Sequence, residues 1–429
     1  MKPNPAQISI LQDSNPIQQI IASAGSGKTS TILFSIFQNY SLDESFAEKT
    51  VLISFTRKSK EELEHRIFQK LGKNPFRIFT FHSYCLSILK RYHPNFQNRA
   101  VSIWEPSEKE KLLKEFLKAH RFQIGGIPFS FFTNEETNFF QNYFPELFSK
   151  WEEHKENHKR ENHILEFSDL IKLYLLGLQQ NEDWVRSART DFENLYVDEF
   201  QDTDAEQWSW IQTIHPKRLT VVGDDWQSIY GFRGADNRPF LEFQKYYPTA
   251  SVHRLETNYR SFKKIVQVSN QPILNSKEVL PKQVRSIREG KSNVSYLIWK
   301  TESSERQKQI QSLKQFLENK EYKILTRTNF RKEFWKKLGF PEENLETIHS
   351  SKGLEFETVI IDLSEAWGDQ LSETIEEERR VLYVGLSRAK DNLVLVFAEH
   401  PKKESLEWIW KKELISWKKR LLLGVFKKF

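Results

Sequence analysis

The sequence predicts an α/β chain, with parallel sheets flanked by helices and one helical insertion in the first half. Three observations predict it. Short apolar runs recur, each ending in a polar or glycine-containing turn that opens a segment of helical period. The glycine-rich stretch Ala22-Ser-Ala-Gly-Ser-Gly-Lys-Thr29 lies at one such junction, between Ile20-Ile21 and a segment with Ile32, Leu33, Ile36 and Phe37 at helical spacing. The alternation then stops from about residue 91 to 165 and resumes.

The elements follow in order. Gln7, in Asn4-Pro5-Ala6-Gln7, stands just ahead of the first strand, and its carboxamide can both donate to and accept from a purine edge; the plainer reading is a polar N-terminal residue. In Ala22–Thr29, Gly25 and Gly27 let backbone N–H groups turn towards a polyphosphate, flanked by Ala24, Ser26 and Ser30, and the helix start adds its positive dipole end. Lys28 is placed to reach the β- and γ-phosphates and the Thr29 hydroxyl to hold Mg²⁺. Ala22 occupies the position where the phosphate-loop pattern expects its first glycine, and such a loop alone can also be a tight turn.

Val51-Leu52-Ile53-Ser54-Phe55 reads as a buried strand, followed by Thr56 and a helix opening with three cations, which suits a nucleic-acid phosphate with Phe55 free to stack. Arg77 to Ser83 is a third strand ending in polar residues that include His82, before a helix carrying Cys85. Between 91 and 165 the chain is helix-like and rich in Phe (Phe129, Phe131, Phe132, Phe139, Phe140, Phe144, Phe148), a pattern that reads as a small core. His154 and His158 stand four apart as zinc ligands can, but the surrounding Lys and Glu read as a solvated face. Leu195-Tyr196-Val197 then delivers Asp198 and Glu199 at a strand's carboxyl end, where α/β sheets place ligands. After a phosphate loop, this pair fits a Mg²⁺-binding Asp198 and a Glu199 that orients and deprotonates water.

Composition bounds the class. Formal charge is +6 from 64 Lys+Arg against 58 Asp+Glu, which permits a nucleic-acid partner without demanding one. The single cysteine excludes an internal disulfide framework and fits a reducing cytoplasm. No run approaches the roughly 18 apolar residues of a membrane span, and the N-terminus has no signal-peptide apolar core, so a soluble, cytoplasmic protein without a membrane partner is expected.

Leu219-Thr-Val-Val-Gly-Asp-Asp-Trp-Gln227-Ser-Ile-Tyr230-Gly-Phe232-Arg-Gly-Ala235, with the preceding stretches, resembles the UvrD/Rep/PcrA family of superfamily 1 DNA helicases. The match continues in Leu255 to Ser261, Thr347 to Phe356 and Glu376 to Lys390, in family order across most of the chain. The resemblance implies two RecA-like P-loop domains with ATP between them. By that resemblance Gln7 reads adenine and Tyr259 stacks on it, while Lys28, Thr29, Asp198 and Glu199 keep the roles argued above. Gln227 senses the γ-phosphate, Arg260 and Arg388 reach it from the second domain, and Gly353 and Glu355 face the nucleotide. Phe55, His82, Tyr230, Phe232 and His349 are implied on the DNA side, with Thr56 and Arg327 near the backbone. The implied activity is a DNA-dependent ATPase and 3′-to-5′ helicase or translocase on single-stranded DNA and 3′-tailed duplexes.

The chain departs from the family pattern in places. Ser30 stands where many relatives carry an Arg against adenine, Phe232 replaces a usual Trp, and Trp226 precedes Gln227 where a polar residue is common. Arg327 and Thr347 are only 20 positions apart where relatives insert a second accessory domain of the 2B type. The expected division is therefore 1–90 and 166–256 for the first RecA-like domain, 91–165 for a 1B-like insertion, and 257–429 for the second, ending in a basic, Trp-rich helix; no room is left for a nuclease domain. That terminal helix, with Leu406, Ile409, Trp410, Leu414 and Trp417 near helical spacing, reads first as packed on the second domain and alternatively as a docking helix. The rival function is an ATP-gated DNA sensor or accessory motor serving a nuclease, repair or defence partner; a P-loop small-molecule kinase needs both candidate Arg residues to be coincidental. Stacking surfaces accept RNA as well as DNA.

Overall fold

The computed structural model describes residues 2–428 except 98–100, 123–124, 134–137, 275, 291–292, 366, 368–374 and 421–425, with side chains also left out at 233, 293 and 415–428. Its contacts divide the chain into two compact units: Met1–Ile78 with Phe192–Trp208 and Pro216–Phe429, and Phe79–Asp191 with Ser209–His215.

The first unit holds two six-stranded sheets. One runs in the order Arg77–Phe79, Thr50–Ile53, Asn194–Val197, Arg218–Gly223, Ile17–Ala22, Ser251–Leu255. The other runs Leu345–Thr347, Tyr322–Thr326, Phe356–Leu363, Ala389–Ala398, Asn293–Trp299, Phe426–Lys428. The described pairings are parallel, for instance Ile20 beside Val222 and Ile360 beside Val394. Strands covered on both faces need continuous apolar runs rather than alternation, and Thr50–Ile53 and Asn194–Val197 are buried at every position. Helix Lys28–Leu42 lends Ile32, Leu33 and Ile36 to the first sheet's core, and helix Ile375–Leu386 lends Val381, Leu382 and Val384 to the second. Helix Leu406–Arg420 places buried Trp410 and Leu414 in that same core, which agrees with a packed terminal helix; the Trp417 side chain lies outside the described residues.

Parallel strands present all their carboxyl ends on one edge, and in the first sheet that edge carries the loop after Ala22, Asp198 after Val197 and Asp224 after Gly223. In the second sheet Arg327 and His349 follow strand ends, whereas Glu355 and Arg388 immediately precede Phe356–Leu363 and Ala389–Ala398.

The second unit is helical. Phe132, Phe140 and Trp151 are buried together with Leu113, Phe116 and Leu117, and Phe129, Phe139, Phe144 and Phe148 pack against them, so six of the seven Phe belong to a core; Phe131 is instead 40% exposed. This unit is wider than residues 91–165 because helix Phe81–Tyr92 packs on helix Phe167–Gln179, and Arg91 and Tyr92 both bond the Asp191 carboxylate. Strands Ser102–Ile103 and Ile164–Leu165 of this unit pair in parallel.

Candidate functional site

The phosphate loop starts where strand Ile17–Ala22 ends. Gly25 and Gly27 have φ of +67° and +84°, a region L side chains rarely adopt, and Gly27 caps helix Lys28–Leu42. A Cβ on Gly25 would stand 2.7 Å from the Arg260 Cβ, so this glycine is also required by close approach. The loop is tied across to the second half of the unit: Asn258 Nδ2 donates to the Ala24 carbonyl (2.8 Å), the Tyr259 amide to the Gly25 carbonyl (2.9 Å), and the Ala24 amide to the Tyr383 hydroxyl (3.3 Å). At the helix start, Gln7 Nε2 donates to Thr31 Oγ1 (2.9 Å) and Asn4 Nδ2 to the Tyr259 hydroxyl (2.5 Å). Gln7 and Tyr259, both expected at adenine, are therefore fixed beside the same loop, with Asn4 reaching the Tyr259 hydroxyl and capping the helix that carries Gln7.

Lys28 Nζ pairs with both Glu199 oxygens, at 2.8 and 2.9 Å. Burial opposes the ammonium charge, but Glu199, Asp224 and Asp198 outweigh it and raise its pKa. Burial also works on Glu199, yet Lys28 and Lys352 hold it down to about 2, while burial and the adjacent Glu199 charge push Asp198 up to about 7. Glu199 sits at φ +53°, left-handed backbone in a non-glycine residue, which turns its carboxylate back over Lys28. Hydroxyl and carboxylate oxygens of Thr29 and Asp198 are the hard donors Mg²⁺ prefers, and the glycines keep the loop free of Cβ atoms that would press on Arg260, Asn258 and Gln7. Among the described residues no group of three His, Cys, Asp or Glu could hold a metal ion, the His154 helix included.

From the other side, Arg388 Nη2 donates to Gln227 Oε1 (2.8 Å), and Arg260 Nε donates to Glu355 Oε2 (2.7 Å), which also accepts Lys390 on its other oxygen. Burial and the like charge of Arg260 hold Arg388 below its ordinary value, a condition an incoming anion would relieve. Gly353, at φ +84°, forms the turn ahead of Glu355. Direct contacts thus tie Gly25 to Tyr259 and Arg260, Lys28 to Glu199, Arg260 to Glu355, and Arg388 to Gln227.

The aromatic residues form a second group. Phe55 stacks on Tyr230 (5.6 Å, 19°), His349 meets Phe232 edge-on (5.4 Å), and Phe232 is 39% exposed. Thr56 caps helix Arg57–Leu71 through the Ser59 amide (3.0 Å). His82 lies in the helical unit, edge-on to the exposed ring of Phe167 (5.5 Å). Arg327 differs from the rest: its guanidinium is buried in a pair with Glu378, with bonds of 2.6 and 3.1 Å, rather than displayed to solvent.

Several participants escaped the sequence reading. Lys352 links the two groups, with its ammonium on Asp202 and the Gln227 carbonyl (2.6 Å) and 4.6 Å above the Tyr230 ring. Gln201 bonds Glu199 (2.7 Å) and receives the Asp224 amide (2.9 Å). Lys352 and Asp224 stand inside stretches already singled out, so their position was a signal; Lys282, described below, lies in a stretch with none.

Residues 3–248 match the UvrD/REP helicase N-terminal domain model, and residues 343–400 match the UvrD-like helicase C-terminal domain model. The ATP-dependent DNA helicase PcrA of Staphylococcus aureus is 31% identical over 340 residues, covering 72% of this chain and 46% of that protein. PcrA of Staphylococcus epidermidis is 32% identical over 339 residues with the same coverage, 72% and 46%. The chain thus spans about half the length of the curated relatives it matches.

Proposed function

The chain belongs to the UvrD/REP helicase family, and on that premise we propose that it is a DNA-dependent ATPase that moves 3′ to 5′ along single-stranded DNA and separates 3′-tailed duplexes. One observation carries the reading: Arg388, which opens a strand of the second sheet, holds Gln227, which follows a strand of the first, at 2.8 Å beside the phosphate loop. A site so divided couples what happens to the phosphates to the relation between the two sheets.

Thr29 and Asp198 would hold Mg²⁺, which would supply charge neutralisation for the phosphates. Lys28 binds the phosphate oxygens, which draws it away from Glu199. Without its ammonium partner the Glu199 carboxylate becomes a stronger base, suited to accept a proton from water. Arg260 and Arg388 stabilise charge spreading over the γ-phosphoryl oxygens, and Gln227 reports their arrival. Phe55, Tyr230, Phe232 and His349 offer faces that accept any base, which suits stepping regardless of sequence. Lys352 supports the transmission, since it touches Gln227 on one side and Tyr230 on the other.

This reading assigns 1–90 and 166–256 to the first RecA-like domain, 91–165 to the insertion and 257–429 to the second, in a cytoplasmic protein. Between Arg327 and Thr347 the chain holds only helix Asn329–Lys337, a short turn and a strand, which supports a compact form without a 2B-type domain. Replacing Lys28 by Ala tests the assignment: a folded Lys28→Ala protein should lose DNA-stimulated ATP hydrolysis, and near-normal turnover would remove the loop from the mechanism.

A further inference from the structure

We propose that Lys282 is a positioning residue for the nucleotide site, which sets the Gln227 carboxamide through Asp224 and so ties the segment Leu280–Lys282 to γ-phosphate sensing. The inference rests on the proposed ATPase function. The Lys282 ammonium contacts Asp224 Oδ1, lies 2.8 Å from Asp225 Oδ1, and donates to the Ala22 carbonyl at 2.9 Å, where the phosphate loop begins. The other Asp224 oxygen accepts from Gln227 Nε2 at 2.5 Å, and the free end of that carboxamide is the oxygen that Arg388 holds. The path therefore runs from Lys282 through Asp224 and Gln227 to Arg388 in direct polar contacts.

Two further contacts fix the segment that carries Lys282. Asp225 Oδ2 accepts the Leu280 amide (2.6 Å), and Trp226 Nε1 donates to the Leu280 carbonyl (3.1 Å). The Trp226 ring lies edge-on to Tyr383 (5.4 Å), whose hydroxyl accepts the Ala24 amide, and the Lys282 ammonium stands 4.7 Å over that ring. Ala24, Trp226, Ile273 and Tyr383 are buried as one apolar cluster with Val279 and Val284 packed against it. This accounts for a tryptophan before Gln227: its ring covers the cation and its N–H anchors the strap. A polar side chain of smaller size would do neither.

Both carboxylates are buried, so an ammonium between them does more than neutralise charge. It fixes which oxygen of Asp224 remains for Gln227. The Trp226 amide also donates to Asp224 Oδ1, at 3.2 Å, so without the ammonium that oxygen keeps one backbone donor but loses its cation, and the carboxylate is held less firmly for the Gln227 carboxamide.

The test is a double-mutant cycle on ATP hydrolysis with a saturating thymidine oligonucleotide. Lys282→Met is expected to lower kcat about tenfold or more with KM for ATP within about threefold, and to add little to the loss caused by Gln227→Ala, since the two act on one group. Because Lys282→Met leaves two buried carboxylates without a cation, Lys282→Met/Asp225→Asn is measured beside it; it removes one of those charges and is expected to show the same kcat loss while unfolding at a higher temperature than Lys282→Met alone. Wild-type kcat in either folded variant, or losses that multiply with Gln227→Ala, would overturn the proposal while leaving the ATPase reading intact. A wild-type protein that hydrolyses no ATP would overturn both.

Discussion

Arg327 separates two accounts of one residue. Resemblance places it near the DNA backbone, whereas in the structure its guanidinium is 8% exposed and bonds both Glu378 oxygens, at 3.1, 3.1 and 2.6 Å. Glu378 is 1% exposed, so removing the cation strands a carboxylate in the interior. Breaking a buried pair from one side costs about 3–5 kcal/mol, whereas replacing both partners by apolar groups is often neutral. At roughly 2 °C per kcal/mol for a large domain, Arg327→Met should lower the melting temperature by about 6–10 °C. Arg327→Met/Glu378→Leu should recover most of that loss. The assay is thermal unfolding of both variants beside the wild type, with DNA affinity measured across a salt series. A residue that neutralises a phosphate contributes about one unit to the slope of log affinity against log salt. That slope should be unchanged in the double variant. A stable Arg327→Met protein with a slope reduced by about one unit would refute the structural role and return Arg327 to the DNA surface.

Other outcomes follow from single contacts. Gly25→Ala puts a Cβ 2.7 Å from Arg260 at φ +67°, and should cut ATP turnover about tenfold and lower the unfolding temperature by about 2–6 °C; steady-state kinetics would show it, and wild-type turnover would mean the loop relaxes freely. Cys85 is fully buried and burial pushes its thiol up, so an aromatic disulfide reagent should leave it unmodified in the native protein at pH 8 and titrate one thiol after denaturation; rapid native labelling would mean that the helix opens. Lys300 and the Thr301 amide hold Glu399 at about 2, down from 4.5, so its ionised form favours the folded state above about pH 4.5 and that contribution fades as pH falls towards 2. Glu399→Gln should therefore melt below the wild type at pH 7 and approach it at pH 3; an equal gap at both would contradict the assignment.

What the sequence disclosed follows physical range. Strands such as Val51–Ile53 and Leu195–Val197 are covered on both faces, so their burial shows as unbroken apolar runs. The phosphate loop and the Asp198-Glu199 pair are legible because local backbone demands put particular residues at fixed spacing. Side-chain partners far along the chain leave no such trace. Glu378 is 51 positions from Arg327, and nothing near Arg327 announces that it turns inward. Lys282 is 58 positions from Asp224, in a stretch without period or motif, and only the packing of Trp226 on Tyr383 makes its place intelligible. The helical unit shows the same limit: its Phe-rich core is visible in composition, but its extent to Phe79 and Asp191 depends on helices whose apolar faces meet only in the fold.

The most direct measurement is strand displacement on a duplex with a 3′ single-stranded tail, beside a 5′-tailed control, with ATP consumption followed in the same reactions. The account predicts DNA-stimulated hydrolysis in both and displacement of the 3′-tailed substrate alone. ATP consumption indifferent to DNA, or displacement led from the 5′ tail, would contradict it.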